Sequence, residues 1–200
     1  MIEEACGLPA DRSPSLAPVI RRKACSTGTA AALHATNGAK GAPWVEQTGI
    51  RILNAHRIMA ISTVRPDGWP QTTIVGYANA GWTLYFLVYR SSQKFANIQR
   101  DDRISIAVGD EPAGLGELAA LFAGGRACEV TEPREREQAW KLLMERHPVL
   151  AAFVMPGPAE AVMMRMTCKY VSALDYSQGL GHREALTIGG EGADVSVPAK

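Results

Sequence analysis

The chain lacks a charge excess of either sign. Lys and Arg number 21 against 20 Asp and Glu, a formal net charge of +1 over 200 residues. A nucleic-acid binder needs a basic surplus to displace condensed counterions, so that class of partner is not expected. Long apolar runs are missing too. The longest candidate, Pro148 to Met155, stops at Pro156, well short of the ~18–20 residues a membrane span requires. Cysteine is scarce: Cys6, Cys25, Cys128 and Cys168 form no CxxC pair, and His34, His56, His147 and His182 are equally scattered. No metal site is therefore expected. The chain opens Met1-Ile2-Glu3-Glu4, acidic where a signal peptide is basic, and the stretch after Arg21-Arg22-Lys23 is small and polar. Both features speak against export and for reduced thiols in the cytoplasm.

Aromatic residues are absent before Trp44. Residues 1–43 carry Pro9, Pro14, Pro18 and Pro43 among many small residues, and such a segment buries too little apolar surface to offset its ordering entropy. It reads as a flexible extension with a short helix around Thr29 to His34. The expected domain is 44–190, followed by a flexible tail over 191–200.

From Trp44 the pattern becomes regular. Trp44, Val45, Ile50, Ile52 and Leu53 recur at helical spacing up to about His56. Arg57 to Val64 reads as a strand, Pro66-Asp67-Gly68 as a turn, and Trp69 to Tyr77 as the return strand. Asn79-Ala80-Gly81 is the next expected turn, and Trp82 to Tyr89 the third strand. A helix capped by Ser91 or Ser92 carries Phe95 and Ile98 and ends near Asp101. Arg103 to Val108 and Leu118 to Val130 follow as strands, the latter with Gly124-Gly125 marking a bend. Thr131 is the expected cap of a charged helix running from Glu132 to His147. Ala161 to Leu174 is the last expected strand, with a Gly-rich tail behind it. Mainly β with peripheral helices, these elements predict a six-stranded antiparallel Greek-key split barrel. Leu84, Phe86 and Val88 alternate with Tyr85 and Leu87, so that strand is apolar on both faces and calls for cover on each, from its own core and from a partner copy.

Chemistry concentrates between Thr72 and Lys94. A helix N-terminus directs unpaired N–H groups outward and its dipole favours negative charge. Ser91 and Ser92 add hydroxyls there and Lys94 a point charge, a set suited to a phosphate. The same residues also suit a plain Ser-capped helix with a solvated lysine. Thr72 and Thr73 add hydroxyls on the preceding strand, where they equally satisfy strand propensity. No residue set stands out as a catalytic acid, base or nucleophile.

His56-Arg57 with Ile58 to Thr63, Pro66-Asp67-Gly68-Trp69-Pro70, Leu84-Tyr85-Phe86, Ser92-Gln93-Lys94 with Asn97-Ile98, Asp101-Asp102-Arg103, and Gly125-Arg126-Ala127 before Val130-Thr131 occur in that order. In order and spacing the chain resembles the FMN-binding split β-barrel superfamily typified by pyridoxamine 5′-phosphate oxidase. That resemblance implies a homodimer with FMN across its interface. The phosphate would sit where Ser91, Ser92, Gln93 and Lys94 stand, and the ring along Thr72, Thr73, Ile74 and Val75, with Leu87 and Val88 as further lining positions. The chain departs from the true oxidase, which has Arg at Thr72, Lys at Tyr77, Arg at Gln93 and Gln at Ala120. The oxidase also ends in an Arg- and His-containing substrate grip, replaced here by Asp175 to Glu184, from which His182 and Arg183 are candidates for the substrate side.

Two functional classes follow from the resemblance. One is a flavin-dependent oxidoreductase acting on a small molecule, with FMN or a deazaflavin as coenzyme. The cofactor carries the redox chemistry in such enzymes, so no acid–base residue is obligatory. The other is a non-catalytic module that stores or carries flavin.

Overall fold

Along the first strand Met59, Ile61 and Thr63 are buried while Ala60, Ser62 and Val64 are not, the two-residue alternation of a sheet covered on one face. The computed structural model describes residues 42–109 and 111–188. The expected N-terminal extension up to residue 41 and the 191–200 tail lie outside the described residues. The elements are α1 (Ala42–Ala55), β1 (Ile58–Val64), β2 (Pro70–Gly76), β3 (Ala78–Ala80), β4 (Thr83–Tyr89), α2 (Gln93–Arg100), β5 (Arg103–Gly109), β6 (Ala119–Glu129), α3 (Pro133–Arg146), β7 (Ala161–Asp175) and β8 (Arg183–Thr187).

The strands form one antiparallel sheet in the order β2-β1-β5-β6-β7-β4-β3, with β8 paired to the second half of β7. All six expected strands form, as β1, β2, β4, β5, β6 and β7, and two more join them. Where Asn79-Ala80-Gly81 suggested a turn, Ala78–Ala80 is a short strand, and Gly81 at φ +57° turns the chain into β4. The Gly-rich tail likewise contributes β8, an edge strand of five residues. β2 and β3 are nearly continuous. At Tyr77 the chain leaves its pairing with β1 and takes up pairing with β4. The sheet thus curls into a half-barrel, split between the outer edge of β2 and the stretch of β4 that extends past β3.

The barrel interior holds Leu84, Phe86 and Val88 of β4 against Val162, Met164 and Met166 of β7, with Ile61, Ile104, Ile106 and Leu121 opposite. On the other face of β4, Tyr85 and Leu87 pack with Ala139, Leu143 and Met163 beneath α3. Residues of the chain itself therefore pack on both faces of β4. A row of apolar residues stays open elsewhere. Ile74, Ala60, Ala107 and Phe122 are direct neighbours across β2, β1, β5 and β6, and Ile74 is 63% and Phe122 42% exposed.

Helix α3 starts one residue later than expected. Glu132, not Thr131, is its cap: the carboxylate accepts from the Glu135 amide at 2.7 Å, and Pro133 fills the first helical position. Proline suits that position because its missing N–H would have had no partner there. The amides of Glu135 and Arg134 hold the Glu132 carboxyl below its ordinary pKa.

At the other end of α3, Arg146 gathers the end of α1. One guanidinium nitrogen donates to the carbonyls of Leu53 at 2.9 Å and His56 at 2.7 Å, and the second to Asn79 Oδ1 at 3.0 Å. The guanidinium lies 5.9 Å from the Tyr77 ring centroid, and the Tyr77 hydroxyl donates to the same Leu53 carbonyl at 2.9 Å. Charge-assisted hydrogen bonds contribute roughly 1.5–3 kcal/mol each, less than additively. Arg146→Leu should therefore lower the unfolding free energy in urea by about 2–4 kcal/mol. Arg146→Lys should recover only part of the loss, because an ammonium cannot reach both sets of acceptors.

β6 and β7 slip register at Gly124 and Gly125, which leaves Lys169 as an extra residue between Cys168 and Tyr170. A Cβ on Gly125 would sit 2.2 Å from the Thr167 carbonyl oxygen, and one on Gly124 would meet the Tyr170 ring end at 2.1 Å. A tyrosine ring can swing away and a backbone carbonyl cannot. Gly125→Ala should thus destabilise more than Gly124→Ala, by about 1–3 kcal/mol for the latter, with Tyr170→Ala relieving only the Gly124 variant. Equal thermal shifts for the two would contradict this account.

Candidate functional site

The split in the barrel is where the sequence-predicted positions meet. Among the described residues, β2 pairs as a strand only with β1, and β4 beyond Tyr85 has no partner on the β3 side. Two strand edges thus border the split, with α2 placed directly after β4. Asn97, fully buried, fixes that helix: its amide donates to Thr63 Oγ1 at 2.9 Å and to Gln71 Oε1 at 3.0 Å, and its carbonyl accepts from Gln93 Nε2 at 2.8 Å. One side chain ties α2 to β1 and β2 together. The sequence shows Asn97 only as part of the Asn97-Ile98 pair in the family pattern; its tie to β1 and β2 follows from burial, since a buried asparagine needs such partners.

The N-terminal turn of α2 divides its candidates. Ser92 is the helix cap; its hydroxyl donates to the Tyr89 carbonyl at 2.7 Å and accepts from the Phe95 amide at 3.2 Å. Its proton is therefore committed within the chain. Gln93 is tied to Asn97, while Ser91 is exposed and makes no hydrogen bond among the described residues. Lys94 is half-buried at the second position of the helix and has no ion pair or hydrogen bond among the described residues. Burial lowers its pKa. A cation in the first turn also opposes the helix dipole. Both effects disfavour an ammonium unless an anion joins it.

Along β2 the side chains alternate, so the run Thr72 to Val75 does not present one face. Thr73 and Val75 turn inward beside Ile61 and Met59, whereas Thr72 and Ile74 turn outward beside Ser62 and Ala60. Thr72 exchanges a hydrogen bond with Ser62 at 2.8 Å. The Thr73 hydroxyl is buried and makes no hydrogen bond among the described residues. On β4, Leu87 is half-buried on the outer face, but Val88 is 3% exposed and belongs to the core. A ligand in the split reaches Val88 only through its backbone.

His182 and Arg183 stand apart. Arg183 pairs with Leu174 near the end of β7, while Val88 pairs with Val162 near its start. That separation is roughly 40 Å of strand contour at about 3.3 Å per residue. His182 packs edge-on against Trp44 at 4.9 Å and lies 3.5 Å from Glu184. Within one chain these two residues do not join the split.

No curated protein matches the chain in sequence. Solved structures share its fold. A heme-binding protein from Mycobacterium smegmatis aligns with a TM-score of 0.60 at 18% identity, covering 70% of this chain, which spans 57% of that protein. The general stress protein 26 of Bacillus anthracis gives 0.55 at 17%, covering 71% of this chain and 97% of its own. An FAD-binding protein from Mesorhizobium loti gives 0.51 at 21%, with 62% and 89% covered. The family described as pyridoxamine 5′-phosphate oxidase matches residues 45–175, the span from α1 to the end of β7. The chain belongs to the pyridoxamine 5′-phosphate oxidase-like family of split barrels.

Proposed function

We propose that this chain is an FMN-binding oxidoreductase that works as a cytoplasmic homodimer on a small molecule. The observation that carries the proposal is Lys94, an ammonium partly desolvated at a helix N-terminus with no anionic partner among the described residues. A phosphate there would draw on Lys94, the Ser91 hydroxyl and the first free amides of α2. The backbone of β2 from Thr72 to Val75 and the buried Thr73 hydroxyl would flank the remainder of the cofactor, while Leu87 turns away under α3. Bound flavin supplies hydride or electron transfer, and the chain supplies binding, orientation and water exclusion. The oxidase's extra cations at Thr72, Tyr77 and Gln93 are replaced by neutral groups, which concentrates the phosphate's charge balance on Lys94.

Lys94→Ala should weaken FMN binding about 10- to 150-fold, the equivalent of roughly 1.5–3 kcal/mol, and leave riboflavin binding almost unchanged. FMN binding should also raise the Lys94 pKa, followed by NMR of the labelled ammonium, since an anion offsets the desolvation that lowers it. Undiminished FMN affinity in Lys94→Ala would remove the phosphate assignment. Oxidation of NADH or NADPH by the flavin-loaded protein separates the enzyme from a flavin carrier.

The partner copy would cover the open row of Ile74, Ala60, Ala107 and Phe122. A carboxylate in that row is solvated in a monomer but buried in a dimer. Ile74→Glu should therefore leave the fold intact and shift sedimentation from a dimer to the 21.5 kDa chain. A wild type that sediments only as monomer, with flavin bound, would exclude the dimer.

A further inference from the structure

On the outer side of β4, away from the barrel interior, lies a cavity of about 430 Å³, within the usual range for small-molecule sites. Its floor is apolar: Leu87, Val130, Ala161 and Met163, the last three each at most 5% exposed. The half-buried Trp140 forms one wall from α3. Arg90 and Glu129 form another, and the Arg90 guanidinium is fully engaged. It donates to both Glu129 oxygens and to the Pro158 carbonyl at 2.9 Å, and sits 5.5 Å from the Phe95 ring centroid.

The rim is preformed. The Arg90 amide donates to the Glu160 carbonyl at 2.8 Å, and the Gly157 amide to the Glu160 carboxylate at 3.0 Å. The remaining charges, Arg136 and Glu137, are exposed at the mouth and have no ion pair among the described residues. One of each sign, they add no net charge to the lining. The interior thus offers no uncompensated charge to an ionic ligand, while an indole face and a methionine suit a flat ring.

We infer that this cavity is a second binding site, separate from the barrel split, that takes an uncharged planar aromatic molecule stacked on Trp140. The site draws on no flavin contact, so it is tested on the full chain with or without cofactor.

The probes are 2-naphthol, neutral at pH 7, and 2-naphthoate, its anionic counterpart, each titrated by calorimetry and by NMR of methyl-labelled methionine. 2-Naphthol should bind with a ring-current shift of the Met163 methyl, assigned through Met163→Leu, and about tenfold more tightly than 2-naphthoate. Trp140→Ala should weaken 2-naphthol about tenfold, and Trp140→Phe by no more than about threefold. Should Trp140→Ala fail to fold, the exposed Glu137→Lys serves instead. It should tighten 2-naphthoate at least about threefold and leave 2-naphthol within about twofold. The inference is overturned if 2-naphthol leaves the Met163 methyl unmoved, or if the anion binds as tightly as the neutral ring. Indifference of 2-naphthoate to Glu137→Lys would overturn it equally.

Discussion

The guanidinium of Arg146 joins the end of α1 to β3 from the far end of α3. Helix α1 ends without a basic residue of its own in the last turn, so its terminal carbonyls depend on an outside donor. Arg146 supplies it from α3, some ninety residues later in sequence, and its second nitrogen reaches Asn79 on β3. The Tyr77 hydroxyl shares the Leu53 carbonyl, and burial pushes that phenol up to a pKa of about 12, so it remains a donor at neutral pH. Tyr77 stands where the chain passes from β2 to β3. The clamp therefore fixes the point at which one strand changes partners, and with it the opening of the barrel.

A second polar group works at the other end of the split. Asn97 joins α2 to β1 and β2, so the helix N-terminus that carries Ser91 and Lys94 keeps its place relative to β2. Under α3, Arg165 donates to both Glu135 oxygens, and the Tyr85 hydroxyl adds a third hydrogen bond to that carboxylate. Each of these buried or half-buried groups is satisfied by elements far apart in sequence. The barrel supplies apolar cohesion, while these few polar contacts select which helix sits against which strand.

The long strands were legible in the sequence because alternation and β-branched residues declare a sheet with one covered face. β3 and β8 were not, since three residues at a turn and five in a Gly-rich stretch give too little pattern to separate from loop. Thr131 looked the better cap by residue type, but Pro133 sets the helix start and so makes Glu132 the cap. At the site, the position of Lys94 was readable from Ser-capped helix grammar, whereas its lack of an anionic neighbour among the described residues was not, because that depends on residues brought in from other strands. Leu87 and Val88 were named together, yet a strand turns adjacent side chains to opposite faces. The separation of His182 from the split was also invisible, since it follows from which half of β7 each neighbour occupies.

That division of β7 bears on how the chain is made. β4 finds its long partner only in residues 161–167, and until they exist it has only the short β3 beside it. At about 5–20 residues per second, synthesis of the intervening segment takes roughly 4–15 s. Throughout that interval a strand apolar on both faces has an open hydrogen-bonding edge, the kind of surface that recruits other chains. The ribosome thus delivers the barrel's most association-prone strand early and its cover late.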